Sequence, residues 1–269
     1  MKKRIRGSGG GKVSSAITPV EDPNSLRAKE YSRIIDIVSE GEIGGLINGK
    51  GSMYLEGVPL QNNDGSDNFK GVTIVQQFGT PSQEYVPGFN FVETETNVNV
   101  KVLYDTPVVR AISNPQLTSA RVRVSVPVMT KTDITTGNTT GSSVNLAIDV
   151  QASGGGWVNV VNDTIAGKNV AKYVRQYAIP LAGSAPWNLR VRRLTIDAPT
   201  TNIQDAIFFE SYSEVIDVKL RRPNVAYFAI QAESTQFSSV PTRSYKCRGR
   251  IIRVPTNYDP EAKTYSGIW

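Results

Sequence analysis

The chain has 269 residues, of which 39% are hydrophobic and 20% charged, and its formal net charge is +6. This length allows one large or two medium domains with a buried core. The sequence has no run of about 18 apolar residues that could span a bilayer. It contains no histidine and one cysteine, Cys247, which excludes histidine-dependent zinc sites, Ser-His-Asp triads and an internal disulfide. These counts favour a non-enzymatic protein that folds in a reducing cytoplasm.

The first thirty residues differ in composition from the rest of the chain. Residues 1–30 are rich in glycine, serine, lysine, proline and aspartate, and the basic start at 1–12 runs into glycine without an apolar segment. A secretory signal needs such a segment. The composition instead predicts an arm at 1–30 that is flexible or becomes ordered on a partner.

Between residues 31 and 78, short apolar segments alternate with turn residues. The segment 31–46 ends in glycines, and its length leaves strand and helical turns both open. Alternating patterns at 51–55 and 72–78 predict strands. The loop 62–67 is rich in Asn and Asp but lacks the spacing of a calcium loop, so it predicts Asx turns.

Alternation with a period of two dominates from about residue 100 onward. The predicted strands lie at 120–128, 144–150, 157–161, 173–179, 187–194, 215–220 and 226–232, with a hairpin turn at 153–156. Short strands at this spacing are typical of an antiparallel sandwich of immunoglobulin or fibronectin type. Pro127 predicts an edge or a bulge, and the polar residues 130–143 predict an exposed loop.

Two motifs have the residue types of an active site, but each has a simpler explanation. Gly44–Gly51 has the glycines and the lysine of a phosphate-binding loop, yet Gly51 stands where that loop requires Ser or Thr, which favours a glycine-rich turn. Glu93 and Glu95 lie on one face of a probable strand, as a pair of catalytic carboxylates could. Solvated strand faces often carry such pairs. The sequence therefore predicts no enzyme and no catalytic, cofactor-binding or metal-binding residue.

Aromatic and basic residues in the sandwich region fit structural roles. Trp157 and Trp187 are expected in the core or at its rim. Arg190 and Arg192 lie on the polar face of a strand, where we expect them to cover the sheet and pair with acidic neighbours.

The C-terminal segment 248–269 differs from the strands before it. It predicts a short strand at 250–254, a turn, and an extended segment that ends on Gly-Ile-Trp. An apolar final residue needs a pocket, so we expect this end to dock on a partner or to continue in a longer chain. The predicted assembly interface comprises Arg248, Arg250, Tyr258, Tyr265 and Trp269.

The same segment resembles the signature of the tail tip attachment proteins of long-tailed phages, the lambda protein J family. The shared motifs are Arg-Gly-Arg-Ile, Val-Pro, Asn-Tyr-x-Pro and Tyr-Ser-Gly-Ile-Trp. Further similar segments follow the family's order at Ser39–Leu46, Tyr104–Arg110, Gly155–Val158, Ile196–Thr200 and Tyr212–Lys219. The resemblance covers residues 31–269 and corresponds to the N-terminal part of such a protein.

The resemblance implies an all-β hub domain, like those of tail tubes and baseplate hubs, with an inserted fibronectin- or immunoglobulin-like antiparallel sandwich. The implied divisions are a flexible basic arm at 1–30, the first part of the hub at 31–110, the sandwich at 111–225, and a return to the hub at 226–269.

The resemblance also implies a function. It predicts a homotrimeric central hub at the distal end of the phage tail, made in the host cytoplasm. The hub would join the tail tube to the receptor-binding apparatus and surround the DNA exit channel during host attachment and genome ejection. Expected partners are other copies, other tail tip proteins, and the tail tube and tape measure proteins.

Two further expectations concern what passes through the hub and what it binds. DNA would pass through the channel without sequence-specific binding, and the host outer-membrane receptor would be contacted only through regions outside this chain. The alternative function is a β-sandwich adhesion or carbohydrate-binding module with an aromatic-lined groove. A histidine-free hydrolase that uses Glu93 and Glu95 in a pocket is a further class left open.

Overall fold

The computed structural model describes residues 18–251 and 257–266. Contacts divide the chain into two compact units. The described part of unit 1 comprises residues 18–27, 96–115 and 121–212, and that of unit 2 comprises 28–95, 116–120, 213–251 and 257–266. The predicted divisions at 31, 111 and 226 stay a prediction.

The described residues form β-strands and two short 3-10 helices, which confirms the all-β prediction. The strands are β1 (Tyr31–Glu40), β2 (Ile43–Leu46), β3 (Met53–Leu55), β4 (Val58–Pro59), β5 (Thr73–Phe78), β6 (Phe91–Val102), β7 (Val108–Ile112), β8 (Ser119–Val126), β9 (Thr130–Thr132), β10 (Thr139–Thr140), β11 (Ser142–Gln151), β12 (Trp157–Gly167), β13 (Tyr173–Pro180), β14 (Trp187–Arg193), β15 (Ile203–Gln204), β16 (Ile207–Asp217), β17 (Val225–Glu233), β18 (Arg243–Tyr245), β19 (Cys247–Arg250), β20 (Asn257–Asp259) and β21 (Thr264–Ser266). The 3-10 helices are Gly49–Ser52 and Ser234–Gln236.

Unit 1 is built around the sheet β12-β11-β14-β7, in which every neighbouring pair is antiparallel. A second four-stranded sheet has the order β13-β8-β16-β6. Alternate residues are buried, as Trp187, Leu189, Val191 and Arg193 show in β14. This period matches strands that have one face in a core and the other toward solvent.

The segment predicted as an exposed loop at 130–143 is exposed at its turn, but residues 130–140 form a hairpin and 142–143 begin β11. β9 pairs with β10 and also with β15, so that Thr132 lies opposite Thr139. Asp133 closes the turn by accepting the backbone N–H groups of Thr135 and Thr136 at 2.8 and 2.9 Å. Hydrogen bonds of polar side chains stabilise this hairpin. Its sequence lacks the alternation of apolar and polar residues that predicts a strand.

Pro127 lies in neither of its predicted settings. It forms a bend directly after β8, which is an inner strand of its sheet. The strand therefore ends before a residue that has no N–H to donate to the ladder.

A segment of the predicted arm lies along unit 1, while residues 1–17 are outside the described residues. Glu21 forms a parallel bridge with Thr139, and the backbone N–H of Ser25 donates to the carbonyl of Lys168 at 2.9 Å. The Lys168 side chain is only 4% exposed, and its ammonium lies 2.5 Å from the Glu21 carboxylate. Residues 20–26 are thus held by backbone pairing and by one ion pair with a buried lysine.

Unit 2 contains the antiparallel sheet β1-β17-β5. Its middle strand is buried on both faces. Phe228 and Ile230 belong to one core cluster with Met53 and Leu55, and Tyr227 belongs to a second cluster with Ala229 and Val86. A strand covered on both sides has a nearly continuous apolar sequence, as residues 225–232 do.

The segment 31–46 forms two strands, β1 and β2, and the corner between them depends on glycine. Gly41 has φ +84° and Gly79 has φ +86°. A Cβ added to Gly79 would lie 2.3 Å from the carbonyl oxygen of Gly41. The two backbones approach each other closely at a place where both residues adopt a conformation that favours glycine.

We expect Gly79→Ala to destabilise the protein more than Gly88→Ala. Both glycines have positive φ, but nothing lies within 4 Å of a Cβ at Gly88. The control substitution therefore introduces only backbone strain, about 1–2 kcal/mol, whereas Gly79→Ala adds a clash with backbone that cannot move aside. Urea denaturation of both variants measures the difference, and equal losses would contradict the close approach.

Candidate assembly surface

The predicted interface residues Arg248 and Arg250 lie on β19, which follows β18 after one residue. β18 pairs antiparallel with β3, with Tyr245 opposite Met53. β19 pairs antiparallel with β2, with Arg248 opposite Gly45. The 3-10 helix at Gly49–Ser52 accommodates the extra residues between β2 and β3. Of the strand predicted at 250–254, only Arg250 lies in β19, and 252–254 lie outside the described residues.

Side chains along residues 243–250 alternate between the interior and solvent, as strand geometry requires. Tyr245 packs on Phe228 with ring centroids 4.7 Å apart, and Cys247 packs against the same core cluster. Lys246, Arg248 and Arg250 are exposed. We call these three residues the cationic row.

Arg243, which precedes the row, has a carboxylate partner. Its guanidinium donates to both oxygens of Asp36, at 2.6 and 3.0 Å, and the Tyr245 hydroxyl also donates to Asp36. Burial by itself would raise the pKa of Asp36, but the hydrogen bonds from Arg243 and Tyr245 outweigh it and lower that pKa. Burial and the hydrogen bond to Asp36 raise the pKa of Tyr245.

Cys247 has the surroundings of a packing residue. Burial raises the pKa of its thiol, so the thiolate that would act as a nucleophile is disfavoured.

The cationic row has no such acidic partner within the described part of the chain. The side chain of Arg248 lies across Gly44, where an added Cβ would meet the Arg248 Cβ at 2.6 Å. The Arg250 Nε would lie 2.9 Å from a Cβ added to Gly41. The glycines of β2 and of the corner before it thus let both arginines lie flat over the backbone. The Lys246 ammonium lies 5.2 Å from the ring centroid of Tyr54.

The other predicted interface residues do not lie on β19. Tyr258 and Tyr265 occupy opposite positions in the two-stranded hairpin of β20 and β21. Asp259 closes its turn by accepting the backbone N–H groups of Glu261 and Ala262. Trp269 lies outside the described residues. The interface role of these residues and of Arg248 and Arg250 stays a prediction.

Sequence reasoning left Lys246 out of the interface. The signal that could have included it is the alternation at 246, 248 and 250, which places three basic residues on one face of a strand.

The motifs that resemble active sites have ordinary structural roles. The segment Gly44–Gly51 comprises the end of β2, a turn and most of a four-residue 3-10 helix that leads into β3, whereas a phosphate-binding loop leads into an α-helix. Asp64 forms an Asx turn by accepting the backbone N–H of Ser66 at 2.9 Å. Across residues 18–251 and 257–266, no cluster of three or more Cys, Asp or Glu could hold a metal ion.

The basic residues predicted to pair within the sandwich do so. Arg190 and Arg192 both donate to Asp149, at 2.8 and 2.6 Å between Nε and Oδ2. Arg190 also lies 4.1 Å above the ring of Trp157, and Trp187 is buried. These arginines are therefore bound within unit 1, unlike the cationic row.

The fold and a match to a protein family together define the class of this protein. The chain is all-β, and residues 92–218 match the family described as the tip attachment protein J FNIII-A domain. It is therefore a protein that carries a fibronectin-like β-sandwich domain. The matched limits differ from the sandwich limits predicted at 111 and 225.

Comparison with curated proteins identifies the relatives. The chain is 34% identical over 266 residues to the tip attachment protein J of Escherichia phage SECphi4, covering 97% of this chain and 23% of that protein. It is 33% identical over 270 residues to the protein of the same name from Escherichia phage SECphi27, covering 100% of this chain and 22% of that protein. The chain is similar along nearly its whole length to proteins named tip attachment protein J, which confirms the resemblance, and it spans less than a quarter of these relatives' length.

Among solved structures, the xylan-binding domain CBM22-1 of Paenibacillus barcinonensis Xyn10C is similar at a TM-score of 0.27 and 11% identity. The match covers 73% of this chain and 99% of that domain. Similarity this low says nothing about function. Within the described residues, no helix is long and apolar enough to cross a membrane.

Proposed function

We propose that this chain is a structural component of a phage tail tip. In this proposal it forms a homotrimeric ring at the distal end of the tail, joins the tube to the receptor-binding apparatus and surrounds the DNA exit channel during attachment and genome ejection. The observation that carries the proposal is the identity of 33–34% along nearly the whole chain with proteins named tip attachment protein J. Its partners would be other copies and neighbouring tail proteins.

The sheet of unit 2 supports the proposed hub. β1 and β5 come from the part before the sandwich and β17 from the part after it, and all three form one sheet. Strands from both sides of the predicted sandwich thus share one sheet, which supports a hub at 31–110 and 226–269 with the sandwich at 111–225 inserted between them.

Cryo-electron microscopy of the tail end of the particle that contains this chain tests the proposal. We expect three copies around the tail axis next to the tube. Monomeric modules outside the axis would overturn it and would favour adhesion instead.

The alternative, a carbohydrate-binding or adhesion module, is favoured by one observation. A cavity of about 490 Å³ in unit 1 is lined by Lys101, Asp197, Thr200 and Gln204, among other residues, and this volume suits a small ligand. No aromatic residue lines the cavity, although aromatic faces were expected of such a groove. Glycan-array binding that is lost in Gln204→Ala would support this alternative.

A further inference from the structure

We propose that β19 accepts an extended segment of a partner protein that carries carboxylates at alternate positions. This inference rests on the proposed assembly function and names the chemistry of one partner. The segment would add a strand to the unpaired edge of β19 and place its acidic side chains against the cationic row.

The first observation is the edge itself. In the part of the chain that the structure describes, β19 belongs to a two-stranded sheet and pairs with β2 alone. Its other edge presents backbone N–H and C=O groups without a neighbouring strand. Such an edge is a template for an added strand, and main-chain hydrogen bonds would supply affinity with little regard to sequence.

The second observation is the spacing of the charges. Residues two apart on a strand lie on the same face, about 7 Å apart. Lys246, Arg248 and Arg250 follow this spacing and are exposed together. Directly opposite side chains of paired strands also share a face. An added strand with Glu or Asp at every second position would therefore place a carboxylate opposite each cation.

The third observation is that these charges are available. Arg243, Arg190 and Arg175 each have a carboxylate partner within 3 Å, whereas the cationic row has no ion pair among residues 18–251 and 257–266. Arginine forms strong, directional hydrogen bonds with carboxylates. A partner's acidic strand would thus gain charge-assisted bonds without displacing an existing pair.

The edge distinguishes an acidic peptide from DNA. Phosphates could contact the cations, but a nucleic acid has no groups that continue a β-ladder. The combination of an unpaired strand edge and an adjacent row of cations favours a protein segment.

Fluorescence anisotropy with the full chain tests the inference. The probe is a labelled peptide, Thr-Glu-Val-Glu-Val-Glu-Thr, compared with the same peptide carrying Gln for Glu. We expect the Glu peptide to bind at least about tenfold more tightly. Arg248→Gln should weaken its binding by a similar factor, while Lys70→Gln, which removes an exposed charge elsewhere in unit 2, should leave it unchanged.

Two comparisons separate the explanations. N-methylation of alternate peptide residues on the edge that faces β19 should abolish binding, because it removes the ladder donors while keeping every charge. Binding that survives N-methylation, ignores Arg248→Gln, or occurs only with single-stranded DNA would overturn the inference. Absence of a ring in the particle would instead overturn the proposed function, so the two failures are distinguishable.

Discussion

Asp205→Ala should lower the free energy of unfolding by about 3–5 kcal/mol, because it leaves a buried guanidinium without its nearest carboxylate. The Arg193 side chain is 1% exposed and donates to the Asp205 carboxylate at 2.8 Å. Arg193 also donates to the backbone carbonyls of Asp205 and Thr195, at 2.6 and 2.8 Å. This one residue thus connects the end of β14 to the segment before β16.

Asp197→Ala is the matched control. Asp197 lies 3.2 Å from the same guanidinium but is 39% exposed, so its loss should cost about 1 kcal/mol or less. Urea denaturation followed by tryptophan fluorescence reports on unit 1, which contains Trp157 and Trp187. Equal losses in the two variants would mean that water or a carbonyl replaces Asp205, and the buried pair would then not be the source of stability.

Strands β8 and β14 could be predicted because buried and partly exposed residues alternate along them, at 119–124 and 187–193. In β11 the apolar alternation at 144–150 also predicted a strand, although residues 146–150 are buried on both faces. The alternation in β14 also places Arg193 inward, in line with Trp187, Leu189 and Val191. Extending the apolar alternation by one more step to Arg193 would have predicted that this arginine is buried. The hairpin at 130–140 could not be found this way, since side-chain hydrogen bonds and not apolar burial stabilise it.

The candidate interface could be predicted only in part. The resemblance indicated Arg248 and Arg250, yet the sequence presents five basic residues between 243 and 253 without distinguishing them. The distinction arises from Asp36, which lies 207 positions before Arg243 and pairs with it. Pairing over such a separation depends on the fold of unit 2, and periodicity carries no information about it. Only the structure therefore shows that Arg243 has a carboxylate partner and thus differs from the cationic row.

The pH dependence of stability should reveal a second buried carboxylate, Asp149. Its side chain is 2% exposed and accepts hydrogen bonds from Arg190, Arg192 and Asn159. Burial by itself would raise the pKa of Asp149, but the hydrogen bonds from Arg192, Asn159 and Arg190 outweigh it and lower that pKa. In the unfolded chain the pKa returns to about 4. The stabilising contribution is therefore complete above pH 4 and is lost as the pH falls through the lower, folded value.

Asp149→Asn should accordingly lower the free energy of unfolding by about 2–4 kcal/mol at pH 7, since an amide N–H group would replace an oxygen that accepts from arginine. Urea denaturation at pH 7, 5 and 3 compares the variant with the parent chain. We expect the difference between them to be constant from pH 7 to 5 and to shrink toward pH 3, because the unfolded parent chain then binds a proton at this carboxyl group. Asp163→Asn serves as the control, because its pair with Arg175 is about 30% exposed and should contribute less. A difference that stays constant down to pH 3 would show that Asp149 acts through its shape and packing, and Arg190 and Arg192 would then need another source of charge compensation.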